Sequence, residues 1–192
     1  AKAIIKNMKL EKVKEEKKEE VKQDVKEEKV DENSKEIVGE SSRAKLTLPR
    51  DLTSFYTPSE KYDTIKGNQD KGNIGYTLSR KDPDRSIYVN ICTDSSDTLE
   101  EAIVFHNEHL SKGEEPFTEY TLGEYSGYRA TRYTNYWNSA NDTTYTYKLS
   151  YPVGDKNVIL SCSVKLRDNS DDTTGLEDIL LAALPQLKGE VK

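Results

Sequence analysis

The sequence contains few of the side chains on which most enzyme active sites depend. Its 192 residues include two cysteines, two histidines, one tryptophan and one methionine. It has no GxSxG motif for a serine nucleophile, and neither GxxxxGK(S/T) nor GxGxxG for cradling phosphate groups. These absences speak against nucleophilic and nucleotide-dependent catalysis, and two histidines are a thin supply of general bases.

Long apolar runs and an excess of positive charge are missing as well. No stretch of 18 consecutive apolar residues occurs, so the sequence predicts no transmembrane helix. The net charge is −6. An acidic chain lacks the basic patch that phosphate contacts require, and nucleic acid is therefore not an expected partner.

Charged and aromatic residues are distributed unevenly along the chain. Residues 1–43 hold 12 Lys plus Arg, 12 Asp plus Glu and no aromatic side chain, so residues 44–192 carry the whole net charge. The Lys/Glu-rich stretch 12–32 has valines but no continuous apolar stripe at helical spacing. We therefore predict a solvated tether at residues 1–43, with transient helix at most, and one domain at residues 44–192.

The order of these two parts is similar to that of bacterial surface lipoproteins, in which a lipidated cysteine precedes a charged spacer and a domain rich in Tyr, Thr and Asn. The chain begins with Ala1 and not with Met, which suggests that an export signal has been removed. We expect an extracytoplasmic protein of the cell surface, a monomer, whose only link to the membrane is a lipid anchor ahead of Ala1.

Alternating strands dominate the second half of the domain. In Thr143–Tyr151 and Val158–Leu166, apolar and aromatic residues alternate with Thr, Ser and Lys, which is typical of strands with one buried face. Pro152–Asp155 between them predicts the turn of a hairpin. Tyr125–Trp137 and Phe117–Leu122 add two candidate strands. The pattern predicts an antiparallel meander of three or four strands with one face toward solvent.

The first half of the domain predicts further strands. Lys45–Pro49 opens the domain, and an irregular polar passage follows it as far as Asn73. Gly72–Arg80 and Arg85–Cys92 have the composition of a strand pair, and the Asp-Pro sequence between them supplies a turn.

Two capping signals indicate helices. Thr98–Glu101 forms a capping box ahead of an amphipathic helix, which Gly113 is expected to end. Thr174–Glu177 repeats the signal before a final helix that Pro185 should stop or kink. The apolar face of this helix consists of Leu176, Ile179, Leu180 and Ala183. Together with the strands, these helices predict an α+β domain, an antiparallel sheet with helices packed on it.

This order of elements over residues 44–188 resembles the PsbP-like fold. The local similarities are Lys45–Pro49 as an opening strand that ends in proline, Gly127–Ala130 early in the central sheet, and Leu176–Leu180 in the closing helix. The resemblance implies an α+β domain. Because of the charged spacer, it points to the bacterial lipoprotein relatives, which are mostly non-enzymatic domains of unassigned role.

Two cysteines allow one disulfide bond at most. Cys162 is in phase with the buried face of its predicted strand, whereas Cys92 is out of phase with its apolar neighbours Ile87, Val89 and Ile91. Side chains on opposite faces do not meet the distance limits of a disulfide unless a strand end twists. Separate, unreactive thiols are therefore favoured, with a bond as the alternative.

Two clusters have some features of metal sites. His106 and His109 have helical i,i+3 spacing, but the sequence indicates no third ligand, and hydrogen-bonded structural histidines are favoured over zinc. The acidic stretch 168–172 has oxygen-bearing side chains at alternate positions, but Thr173 stands where an EF-hand loop needs glycine. A solvated loop is favoured over a calcium site there, and no cofactor is expected.

The most distinctive candidate for a binding site is the hairpin end near the only tryptophan. Tyr136 and Trp137 offer aromatic planes for stacking, and Asn138 and Asn141 offer amides for directional hydrogen bonds, so a protein or glycan ligand is expected here. The alternative is that Trp137 packs in the core. Strand faces with Thr, Ser and Lys, such as the one that includes Thr144, are better suited to solvent than to recognition.

These observations favour a non-catalytic binding or accessory module. The one alternative is an enzyme. A secreted hydrolase would have to use carboxylates, for which Asp82, Asp84, Asp94 and Asp97 are the candidates. Turnover of an ester, glycan or peptide that a single Asp-to-Asn change abolishes would favour the hydrolase.

Overall fold

The computed structural model describes residues 35–51, 62–70, 73–80, 86–135, 141–168, 173 and 175–192. Within these ranges the chain forms two sheets and two short helices, an α+β arrangement in which all the paired strands are antiparallel. The elements are β1 (Glu36–Glu40), β2 (Ala44–Pro49), β3 (Tyr62–Asp70), β4 (Asn73–Arg80), β5 (Ser86–Thr93), α1 (Leu99–Glu108), β6 (Thr118–Leu122), β7 (Tyr125–Asn135), β8 (Asn141–Val153), β9 (Lys156–Asp168), α2 (Asp178–Ala183) and β10 (Lys188–Val191).

The larger sheet has seven strands in the order β3-β4-β5-β9-β8-β7-β6. Its longest pair is the hairpin β8–β9, which turns through Gly154 and Asp155, and Gly154 has the positive φ of +64° that such a tight turn favours. Side chains at alternate positions of this hairpin, among them Tyr147 and Leu160, have no exposed surface. The predicted meander is therefore confirmed, and β3, β4 and β5 extend it.

The smaller sheet has three strands in the order β1-β2-β10. Ile37 of β1 and Leu46 and Leu48 of β2 are fully buried and belong to the same hydrophobic cluster as the large sheet and α2. Since β1 pairs with β2, the predicted domain boundary between residues 43 and 44 falls inside the folded part. The rest of the predicted tether, residues 1–34, lies outside the described residues.

Helix α1 begins as the capping box predicts. The Thr98 side chain accepts a hydrogen bond from the Glu101 N–H at 3.1 Å, while the Glu101 carboxylate accepts from the Asp97 N–H at 3.0 Å, one residue earlier than in a standard box. The helix ends at Glu108 and not at Gly113, because His109 already leaves the helical region. Gly113, with φ of +83°, serves the following turn instead.

Helix α2 keeps its predicted apolar face but not its predicted cap. Leu176, Ile179, Leu180 and Ala183 are buried, and Pro185 lies in a 3-10 turn, Leu184–Gln186, that directly follows the helix. Glu177 occupies the N-cap position without making a side-chain cap, because its carboxylate turns toward the sheet. In the part of the chain that the structure describes, neither helix has the length and apolar character needed to cross a membrane.

Candidate functional site

The large sheet has one buried face and one open face. We call the face that carries Tyr147 and Leu160 the inner face, since it packs in the hydrophobic core, and the opposite face the outer face. The outer face contains a concave depression of about 570 Å³, which we call the outer groove. Its side chains are uncharged and come from four adjacent strands: Asn73, Asn90, Cys92, Thr144, Thr146, Ser161 and Ser163.

Strand register assembles most of the groove from two rows of residues that run across the sheet, and Thr144 adds to it from a third row, opposite Lys165. In one row Gly75, Asn90, Ser163 and Thr146 lie opposite one another in turn. The next row is formed by Asn73, Cys92, Ser161 and Lys148. Because side chains alternate between the faces of a strand, both rows project from the outer face. Gly75 has no side chain, which leaves space at the β4 end of the first row.

An ion pair closes one end of the second row. Lys148 Nζ lies 2.5 Å from Asp94 Oδ2 and also donates to Ser161 Oγ at 3.0 Å. The side chains of Lys148 and Asp94 are only 15% and 13% exposed, so this pair is largely buried beside the groove. Asp94 Oδ1 in turn accepts from the N–H and the hydroxyl of Ser96, at 2.9 and 2.7 Å.

These contacts fix the protonation state of Asp94. Burial acts to raise its pKa, but hydrogen bonds from Lys148 and Ser96 outweigh burial, and the pKa of the carboxyl is held below its usual range. Asp94 is therefore an anion that holds an ammonium group, which does not suit a general acid. Of the other predicted carboxylates, Asp97 is exposed and pairs with Arg43, and Asp82 and Asp84 lie outside the described residues.

The two thiols lie on opposite faces and are not bonded to each other, so the favoured prediction is confirmed. Cys92 lines the outer groove, and its Sγ donates to the backbone oxygen of Ser161 at 3.2 Å. Burial raises the pKa of the Cys92 thiol in spite of the opposing effect of Lys148, and full burial raises the pKa of Cys162 as well. Neither thiol has the depressed pKa of a nucleophilic cysteine.

A second ion pair lies on the same face, beyond the other end of the groove. Asp142, two residues before Thr144, is 2% exposed and is held by Lys165 at 2.5 Å and by Arg167 Nε at 3.1 Å. Asp94 and Lys148 thus neutralise each other at one end of the groove, whereas two basic groups share Asp142 at the other. The space between them is lined by neutral hydroxyl and amide groups.

The inner face holds a polar cluster of a different kind. The Glu177 carboxylate accepts hydrogen bonds from the hydroxyls of Tyr120, at 2.9 Å, and Tyr147, and from Arg129 Nη1 at 3.3 Å. The Arg129 guanidinium lies over the rings of Tyr120 and Tyr145, with centroids at 4.1 and 5.0 Å. Burial, and then the neighbouring Glu177, raise the pKa of Tyr147. The cluster fastens the start of α2 to the sheet.

The binding residues predicted from the sequence are only partly described. Tyr136, Trp137 and Asn138 lie outside the described residues, so the aromatic hairpin end stays a prediction. Asn141 begins β8 and pairs with Asn135 and Asp168.

The groove could not be predicted from the sequence because its residues are far apart in the chain. The one available signal was the row of Thr144, Thr146 and Lys148 along one face of β8, a face that the sequence predicts to contact solvent.

The two histidines act separately. His106 Nε2 lies 3.3 Å from the Glu115 carbonyl oxygen and its ring packs edge-on against Phe117, whereas His109 Nδ1 lies 2.9 Å from the Phe105 carbonyl oxygen. No group of three His, Cys, Asp or Glu residues in the described ranges could hold a metal ion. The acidic loop 169–172 lies outside those ranges, and its calcium alternative stays open.

Comparisons with known proteins found similarity at the level of structure. No protein-family model matches the sequence, and no curated protein matches it. The structure is similar to that of LpqN, described as involved in cell envelope biogenesis of Mycobacterium tuberculosis, with a TM-score of 0.43 and 15% sequence identity. The match covers 80% of this chain and 90% of that chain. The resemblance to the PsbP-like fold stays a prediction.

Proposed function

We propose that this chain is a non-catalytic binding or accessory module of the bacterial cell surface, and that the outer groove holds its ligand. The observation that carries the proposal is the uncharged, hydrogen-bonding lining of the groove. Its volume of about 570 Å³ lies within the range of roughly 300–1,000 Å³ that small-molecule sites occupy. The Lys/Glu-rich segment at residues 1–34 would hold the domain away from the membrane.

The chemistry of the groove supports binding without turnover. Lys148 and Ser161 have the spacing of a serine and lysine pair, with 3.0 Å between Nζ and Oγ. However, the Lys148 ammonium group donates hydrogen bonds to both Ser161 and Asp94. An ammonium group has no acceptor, so it cannot take the serine proton. The Cys92 thiol, with its raised pKa, stays protonated at neutral pH. The titratable groups at this end are thus engaged in structural contacts.

The hydrolase alternative has one observation in its favour, which is the same Lys148–Ser161 contact. Lysine-assisted serine nucleophiles occur among hydrolases. For the pair to act in this way, Asp94 would have to release Lys148. An Asp94→Asn variant that gains or loses turnover of an ester, glycan or peptide probe, while Asp97→Asn leaves turnover unchanged, would favour the hydrolase.

A groove-filling substitution tests the binding proposal. Ser163 lies at the centre of the groove, and Ser163→Tyr should block it, whereas Ser150→Tyr adds the same ring to β8 outside the lining. Panels of soluble oligosaccharides and peptides would be titrated calorimetrically, with melting temperatures as a folding check. We expect a panel member whose binding Ser163→Tyr abolishes and Ser150→Tyr preserves.

Other outcomes would move or remove the site. Binding that survives Ser163→Tyr but is lost in Trp137→Ala, without loss of stability, would place the ligand at the aromatic hairpin end and contradict the groove. A strong drop in the melting temperature of Trp137→Ala would mean that this tryptophan belongs to the core.

A further inference from the structure

A ligand in the groove can contact the side chains of its floor, but it finds no free backbone N–H or C=O groups there. The four strands that form it, β4, β5, β9 and β8, each pair with a strand on both sides, so their N–H and C=O groups are used in the sheet. Peptides that bind sheets typically add as a strand at an open edge and use backbone hydrogen bonds. The floor lacks that feature, and recognition there depends on hydroxyl and amide groups.

The basic groups around the groove already have acidic partners. Lys148 is bound by Asp94, and Lys165 by Asp142, each at 2.5 Å, and Arg167 Nε also lies 3.1 Å from Asp142. A carboxylate or phosphate ligand would have to compete with Asp94 and Asp142 for these cations. An uncharged ligand that binds through hydroxyl groups does not face this competition.

The neutral side chains match a ligand that is itself rich in hydroxyls. The hydroxyls of Thr144, Thr146, Ser161 and Ser163 can each donate and accept hydrogen bonds, and the amides of Asn73 and Asn90 supply both kinds of group. A surface of this composition satisfies a saccharide hydroxyl, which also donates and accepts.

Ser161 differs from the other hydroxyls because it already accepts a bond from an ammonium group. Lys148 Nζ donates to Ser161 Oγ, and within the described residues the Ser161 hydroxyl proton is donated to no protein acceptor. A hydroxyl that accepts from a cation becomes a stronger donor, since consecutive hydrogen bonds polarise one another. Ser163, one row away on the same strand face, receives no hydrogen bond from an ammonium group of the described residues.

Building on the proposed function, we propose that the outer groove binds an uncharged saccharide and that Ser161 is the principal donor to it. The chain of contacts runs from Asp94 through Lys148 to Ser161 and then to an acceptor oxygen of the ligand. Asp94 and Lys148 are positioning residues, and Ser161 is the contact residue.

Matched serine variants and matched ligands test this inference in the full-length chain. Neutral glucose-based and N-acetylglucosamine-based di- and trisaccharides would be titrated by calorimetry, each beside a counterpart that carries a uronic acid. We expect a neutral member to bind and its acidic counterpart to bind at least about fivefold more weakly. Ser161→Ala should weaken binding about tenfold, Ser163→Ala about threefold or less, and Ser161→Thr, which keeps a hydroxyl, should stay within about threefold of the parent.

The outcomes separate this inference from the proposed function. Equal losses in Ser161→Ala and Ser163→Ala would overturn the role of Ser161 while the groove remained the site. Tighter binding of an acidic saccharide or of a peptide, still blocked by Ser163→Tyr, would overturn the ligand class alone. Binding of a saccharide that Ser163→Tyr leaves unchanged would overturn the proposed function and this inference together.

Discussion

The two faces of the β8–β9 hairpin come from the same alternating sequence but meet different surroundings. On the inner face, Tyr147, Leu149, Leu160 and Val164 have no exposed surface, whereas Thr144, Thr146 and Ser163 on the outer face are half-buried and border an open groove. One strand pair therefore contributes both to the core and to the candidate site. The packing on the inner face holds the outer side chains in fixed positions.

The polar groups on the two faces differ in how fully they are used. Inside, the Glu177 carboxylate receives donors from three side chains and lies between the sheet and α2. Outside, the Asp94–Lys148 pair leads to Ser161, whose hydroxyl still has a proton to donate. A network in which every polar group has a partner stabilises the fold. A network that ends in a hydroxyl donor without an acceptor, at a groove, is suited to binding a ligand.

The strongest test of this comparison is to truncate one residue on each face of β9. Leu160→Ala removes a fully buried side chain from the inner face and should lower the free energy of unfolding by about 2–5 kcal/mol. Ser163→Ala, on the outer face, should change it by no more than about 0.5 kcal/mol. Urea denaturation measures both. Equal losses in the two variants would mean that the outer face also belongs to a packed core.

Elements with regular alternation were predictable from the sequence. The β8–β9 hairpin, the β4–β5 pair and the start of α1 at Thr98 agree with the structure. Each depends on local features, which are period-2 patterning, turn residues and a capping side chain. Such features fix an element without reference to the rest of the chain.

Edge strands with a weak alternating pattern were missed. The stretch Tyr62–Asp70 belongs to the passage that the sequence predicts to be irregular because it is rich in Pro and polar residues, yet it forms β3, which among the described strands pairs only with β4. β1 has two large apolar residues among charged ones, and it was assigned to the tether although β2 pairs with it. Strands at the edge of a sheet need little apolar sequence, so their pattern is weak.

The candidate site was less predictable than the fold. The groove unites residues from Asn73 to Ser163, and only the strand register brings them together. The Glu177 cluster was missed for another reason, since Thr174–Glu177 matches a capping box by sequence while the carboxylate finds better donors in Tyr120, Tyr147 and Arg129. Tertiary contacts decided both cases.

A second, smaller effect should distinguish the inner polar cluster from an ordinary surface carboxylate. Glu177→Gln replaces one acceptor oxygen with an amide group that donates, so at least one tyrosine or arginine donor loses its partner. We expect a loss of about 1–3 kcal/mol in the free energy of unfolding. Glu119→Gln, at an exposed position of β6, is the matched control and should be nearly neutral. A neutral Glu177→Gln would show that the cluster does not hold α2 in place.

The two thiols give the mildest test, since labelling them requires no mutation. Cys92 lines the open groove and Cys162 is fully buried on the inner face, so a thiol reagent should reach only Cys92 in the native protein. Because its pKa is raised by burial, Cys92 should react slowly near pH 8 and faster as the pH increases toward that pKa. We expect one labelled thiol per native chain and two after denaturation, by mass spectrometry.

The Cys92→Ser variant is the control for this labelling, and it should leave the native protein unlabelled. Bulky neutral saccharides at saturating concentration should also slow the reaction of Cys92, because Cys92 lies in the same cross-strand row as Ser161. Labelling of Cys162 at the same rate as Cys92 in the folded protein would contradict the division of this sheet into a closed inner face and an open outer one. Fast labelling of Cys92 at neutral pH would show instead that its thiolate is stabilised, which would revive a catalytic interpretation of the groove.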